Sequence, residues 1–149
     1  MTNEDRARAA LTEVFVGDHS RLADHYAPGF VDHVNRMEFR GVHGIGQSTA
    51  LPRRLLSDLQ LEIERLVSAG DWVALQWVLS GTNRGREVRL TGVSFLRFEG
   101  GLIAESWDTA DSIETFRQLG IWRSILVMVT EWRLLLGLLR AEKIPDPAT

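Results

Sequence analysis

Residues 59–110 read LQLEIERLVSAGDWVALQWVLSGTNRGREVRLTGVSFLRFEGGLIAESWDTA, and their period decides the fold. Leu59, Leu61 and Ile63 alternate with Gln60, Glu62 and Glu64. After a turn at Ala69-Gly70-Asp71, Val73, Leu75, Trp77 and Leu79 alternate with Trp72, Ala74, Gln76, Val78 and Ser80. Gly81-Thr82-Asn83-Arg84-Gly85 breaks the pattern before a third strand over 86–98, and Glu99-Gly100-Gly101 turns the chain into a fourth over 102–110. Apolar residues at a period of two, separated by Gly- and Asp-rich turns, are the signature of strands joined as a meander. The helical patterns lie before and after this block, so the expected class is α+β.

Working outward, 3–17 predicts an amphipathic helix with Thr2 as its cap and Ala7, Leu11, Val14 and Phe15 as one apolar stripe, ended by Gly17. A short helix is expected over 20–26, stopped by Pro28-Gly29, and an extended segment over 30–34. Gly41-Val42-His43-Gly44-Ile45-Gly46 reads as a glycine-rich bend leading into a helix near 45–57, with Pro52 awkward inside it. No phosphate-loop spacing is present there. A helical turn is expected over 111–119 and a long helix over 121–142. In the latter Ile121, Ile125, Met128, Trp132, Leu135 and Leu139 make one seam, while Val127, Leu134 and Leu138 fall on the opposite face. That is more apolar surface than one stripe needs; the helix either packs on its own domain or, as the surplus surface favours, is shared with a second copy of the chain.

Composition excludes several function classes. The 149 residues carry 17 Lys and Arg against 20 Asp and Glu, which gives a net charge of −3 with 44% apolar residues. This is one globular domain without the basic face that nucleic acids or anionic membranes require. With no cysteine there is no disulfide, no thiolate nucleophile and no cysteine zinc site. The four histidines His19, His25, His33 and His43 form no metal-ligand spacing, so no metal is expected. The polar start lacks the apolar core of a signal peptide and no stretch is long enough to span a bilayer, so a cytoplasmic protein is expected.

Chemistry is sought where polar residues share the apolar face of the strands. With a three-residue turn at 99–101, Ser94 would pair with Ser106 and Gly92 with Asp108, and Gly92, Ser94, Leu96 and Phe98 would line one face with Ala104, Ser106 and Asp108. A two-residue Gly-Gly turn is equally legal and would set Asp108 beside Val93. An aspartate in mid-strand is unusual, and burial near aromatic groups would raise its pKa toward general-base strength. His33 and Asn35 would present polar groups to the same cavity, and Trp107 would wall it. Asp111 is a reserve carboxylate whose plainer role is to cap the 112–119 turn.

The motifs Tyr26-Ala27-Pro28-Gly29-Phe30-Val31-Asp32-His33, Gly41-Val42-His43-Gly44, Gly70-Asp71-Trp72-Val73-Ala74, Gly101-Leu102-Ile103-Ala104-Glu105-Ser106-Trp107-Asp108 and Phe116-Arg117-Gln118-Leu119-Gly120 follow one another in a fairly specific order. In that order the sequence resembles the SnoaL-like polyketide cyclase (ester cyclase) family of the nuclear transport factor 2-like superfamily. The resemblance implies a cone-shaped barrel, a strongly curved antiparallel sheet wrapped around the N-terminal helices, over residues 1–120. Residues 121–149 would be an extra C-terminal helical extension of the same domain. It implies a homodimer, no cofactor, and intramolecular aldol-type cyclisation of an apolar, carbonyl-bearing, polyketide- or terpenoid-like small molecule. Asp108 would be the acid/base, and Ser94, Ser106, Gln76, His33 and Asn35 would orient the substrate. The resemblance also favours the three-residue turn. Ser94, Ser106 and Asn83 stand where relatives with cyclase activity tend to carry histidine. Isomerisation, rearrangement, epoxide opening or non-catalytic binding in the same cavity are the alternatives.

Overall fold

A computed structural model describes residues 1–35, 37–133 and 136. The chain opens with α1 (Asn3–Phe15), where Thr2 and Asp5 form a reciprocal capping box and Ala7, Ala10, Leu11, Val14 and Phe15 are buried. A single turn, α2 (Leu22–His25), leads into β1 (Tyr26–Val34), a hairpin partner β2 (Met37–Arg40), and two short helices, α3 (Gly41–Ser48) and α4 (Ala50–Leu55). The four long strands follow as β3 (Ser57–Ala69), β4 (Trp72–Asn83), β5 (Arg86–Glu99) and β6 (Leu102–Ala110). The chain then runs through α5 (Ser112–Leu119) and α6 (Ile121–Thr130).

The meander forms as its period demands. β5 is the clearest case, with Val88, Leu90, Gly92, Ser94, Leu96 and Phe98 buried and most of the residues between them exposed. The six strands make one curved, unclosed sheet in the order β2-β1-β6-β5-β4-β3. Helix α1 lies against β3 and β4, α3 against β1 and β2, and α5 against β5. The core between sheet and helices is built from Leu11, Phe15, Phe30, Ile45, Val73, Leu75, Trp77, Leu79, Leu96, Phe98 and Ile103. The Phe15 and Trp77 rings meet at 4.8 Å.

Several local expectations are corrected. The sheet is mixed, since β1 runs parallel to β6. A long crossover through α3, α4 and the meander separates these two strands, and such a path permits a parallel neighbour. Pro28-Gly29 lies within β1 and does not precede it. The glycines at 41–46 are helical; at Gly44 an added Cβ would sit 2.9 Å from Phe39, so the absent side chain lets α3 approach β2 closely. Pro52 falls in the first turn of α4, where its missing N–H costs nothing, and the expected single helix breaks at Thr49.

The β5–β6 turn is the two-residue alternative weighed above, but the register beyond it matches neither. Gly100 and Gly101, with φ of 59° and 84°, form a two-residue turn pairing Glu99 with Leu102. A bulge at Ala104 then shifts the register, and Ser94 pairs with Asp108 and Leu96 with Ser106. The three-residue turn is therefore not formed. The bulge nevertheless leaves Ser94, Ser106 and Asp108 on a common face. At the C-terminal end α6 stops at Thr130, with Val127 buried and Ile125, Met128 and Trp132 exposed. Leu134, Leu135, Leu138 and Leu139 lie outside the described residues. Among those residues no helix is long and apolar enough to cross a membrane.

Candidate active site

Because β1 alternates, Phe30, Asp32 and Val34 point to the concave side of the sheet. The register sets Asp32 opposite Ser106 and Val34 opposite Asp108, while β5 brings Ser94 to the other flank of Asp108. Three neighbouring strands therefore place two carboxyl groups and two hydroxyls side by side beneath a cavity of about 230 Å³. The cavity walls are apolar, with Leu11, Phe15, Phe30, Ile45, Leu96 and Leu119 among them, and no Lys, Arg or His among the described residues lines it. An apolar hollow with a few convergent polar groups is what a small-molecule site requires.

The hydrogen bonds have fixed directions. Indole Nε1 of Trp77 donates to Ser94 Oγ at 2.9 Å, and the Ser94 hydroxyl donates its one proton to Asp108 Oδ1. On the other carboxyl, Ser106 Oγ donates to Asp32 Oδ1 and Ser48 Oγ to Asp32 Oδ2, each at 2.8 Å. Trp77 owes its position to Gly92, where an added Cβ would lie 2.2 Å from the indole ring. At the end of β1, Asn35 adopts φ of 56°, a conformation asparagine tolerates, and its backbone N–H donates to the Asp108 carbonyl at 3.2 Å.

Burial pushes the Asp108 carboxyl well above the usual carboxylate range, and the negative charge of Asp32 adds to the rise. The Ser94 and Ser106 hydroxyls pull the other way and only partly offset this. Tyr26, buried on the cavity wall, is raised by the same burial and then by the two aspartates, so its phenol stays protonated. Among the described residues no three His, Asp or Glu converge as metal ligands would.

Of the residues singled out from sequence, Asp108, Ser94, Ser106 and Asn35 come together around the cavity floor. His33 and Trp107 do not, because the two-residue period sends them to the opposite, convex face. There His33 stacks on Trp107 at 4.9 Å and bonds Glu105 at 2.8 Å. Gln76 also faces away, held by Arg65 at 2.7 Å and Glu64 at 3.0 Å. Asp111 caps α5, accepting the Glu114 N–H at 3.0 Å. Asn83 donates to the Leu55 carbonyl at 2.7 Å. Asp32, Tyr26, Ser48 and Trp77 were missed. The signal for Asp32 was available: it stands two residues from Phe30, and the alternation that buries Phe30 must bury it too.

The comparisons with known proteins agree with this architecture. IdmH, a candidate polyketide cyclase from Streptomyces antibioticus, is 22% identical, with a TM-score of 0.72 over 81% of this chain and 100% of its own. A candidate polyketide cyclase from Bacillus cereus is 23% identical, with a TM-score of 0.67 over 79% and 78% of the two chains. AclR, a candidate hydroxylase from Streptomyces galilaeus, is 22% identical, with a TM-score of 0.68 over 79% and 95%. These likenesses establish a shared fold, and a solved neighbour from Catenulispora acidiphila carries the name ketosteroid isomerase-like for it. No curated protein matches the chain. The description SnoaL-like polyketide cyclase matches residues 5–119, from α1 to the end of α5, and the chain belongs to that family.

Proposed function

We propose that this protein is a cofactor-independent acid/base enzyme acting on an apolar, carbonyl-bearing, polyketide- or terpenoid-like molecule, and that its reaction is an intramolecular aldol-type cyclisation. The Asp108 carboxyl takes a proton from the carbon next to a carbonyl. The resulting enolate carbon attacks a second carbonyl carbon of the same molecule, forming the C–C bond and leaving an alkoxide. Protonated Asp108 then returns its proton to that alkoxide. One proton is taken and one given back, so neither oxidant nor reductant is consumed. The reading rests on a single observation, the half-buried carboxyl of Asp108 facing an apolar cavity with its proton affinity raised. Raising a base toward neutral pH narrows the gap to a weakly acidic C–H bond. Epoxide opening, which favours an arginine between paired acids, is the weaker reading because no arginine among the described residues lines the cavity.

The test uses a nitrobenzisoxazole, an apolar carbon acid whose base-catalysed ring opening releases a coloured phenolate. Asp108→Asn is expected to retain binding of this probe and to lose roughly 10²–10⁴-fold in ring-opening rate. Undiminished turnover in the variant overturns the reading. A homodimer belongs to the same proposal, supported by the exposed Ile125, Met128, Val129 and Trp132 of the α6 region. Sedimentation equilibrium giving a monomer mass would reject it.

A further inference from the structure

Asp108 does not stand alone. Asp32 stands on the adjacent strand opposite Ser106, two residues from Asp108, and both acids line the same cavity. Two carboxyl groups so placed repel each other when both are ionised in a site of low polarity. Among the described residues no Lys, Arg or His lines the cavity to relieve it. The other titratable group facing them is Tyr26, which remains neutral.

The surroundings of the two acids are unequal. Asp32 accepts hydroxyl protons on both oxygens, from Ser106 and Ser48. Asp108 accepts on Oδ1 from Ser94, whose orientation is fixed by Trp77; Ser106 also acts on Asp108, but its one hydroxyl proton points to Asp32. Donors stabilise the charged form of the group they address. The asymmetry therefore favours negative charge on Asp32 and a proton on Asp108.

We propose that Asp32 and Asp108 act as a one-proton pair, in which Asp32 is a positioning residue that holds the charge at rest and takes up the shared proton while Asp108 works. This deepens the acid/base reading above and rests on it. At rest the pair has one proton and one negative charge. When substrate delivers its C–H proton to Asp108, the shared proton moves to Asp32, both acids become neutral and the charge passes to the enolate. When Asp108 protonates the alkoxide, the shared proton moves back and the charge returns to Asp32. The charge thus alternates between Asp32 and the substrate, and the proton count of the pair closes over one turnover.

The test follows the aspartate carboxyl carbons by carbon-13 NMR across pH in the full-length protein. In the wild type the pair is expected to lose its two protons in separated steps, with the Asp108 carbon responding to both. In Asp32→Asn the Asp108 carbon should titrate once, at a pH lower by about one unit or more, and nitrobenzisoxazole ring opening should slow by about tenfold or more. Ser48→Ala guards against failure of that variant to fold. Removing this donor from Asp32 should transfer part of the higher-pH step from the Asp108 carbon to the Asp32 carbon. Unchanged titration of Asp108 in Asp32→Asn, or an unchanged distribution in Ser48→Ala, overturns the pair. That failure is distinct from failure of the parent reading, which shows as turnover surviving in Asp108→Asn.

Discussion

Glu105 and Asp108 lie on the same strand, three residues apart, and an odd separation puts them on opposite faces of the sheet. On the convex face Glu105 is met by His33 Nε2 at 2.8 Å and by Arg97 Nε at 3.2 Å. The Trp107 ring covers His33 and touches Trp72 at 5.5 Å. On the concave face Asp108 has hydroxyls, a second carboxyl and hydrocarbon for company. One acid is paired with basic side chains, whereas among the described residues none lines the cavity of the other, which is made to hold on to protons. The difference teaches that an acid's chemistry here follows from the face it occupies and the neighbours on that face.

The comparison breaks first, and by the largest margin, in ring-opening activity. Asp108→Asn should lose the roughly 10²–10⁴-fold that a positioned general base contributes, whereas Glu105→Gln should stay within about twofold of wild type. Equal losses would erase the distinction between the faces. Next comes packing. Gly92→Ala drives a methyl into the Trp77 ring and should cost about 1–3 kcal/mol in urea unfolding, while Val93→Ala on the convex face should stay within about 0.5 kcal/mol.

The pH dependence of stability sharpens the contrast further. The folded value of Asp108 lies above the ordinary 3.8, so folding favours its protonated form. Its contribution is complete below the unfolded value and is lost as pH rises through the folded one. Asp108→Asn removes this dependence. Its stability relative to wild type should climb by at most about 1.4 kcal/mol per pH unit across that window, read from unfolding midpoints in acid and at neutrality. The smallest effect belongs to the convex face. Glu105→Gln should cost about 1 kcal/mol or less, and the cost should shrink in high salt, as for other partly exposed ion pairs.

Most of the architecture was legible because it depends on period. β5 alternates so regularly that its buried set follows from counting, and Thr2 with Asp5 announces the start of α1. The pairing of β5 with β6 was not legible. A two-residue turn and a bulge at Ala104 together produce a register that neither simple turn gives, and a bulge depends on twist across strands. The face shared by Ser94, Ser106 and Asp108 was nevertheless reached, because the true register and the three-residue alternative have the same parity. Within β1 the reading followed residue type and chose His33 and Asn35, when the alternation from Phe30 pointed to Asp32. The parallel seating of β1 beside β6 could not be read, since it is settled by packing between segments more than 70 residues apart.

The indole of Trp77 is wired through one hydroxyl to the acid at the cavity floor, and it is almost wholly shielded from solvent. Its ultraviolet absorption therefore senses the local field of that acid, whereas Trp72 and Trp132 report on bulk water. A difference spectrum recorded during an acid–base titration gives the protein a built-in optical gauge of its own protonation, with no label attached.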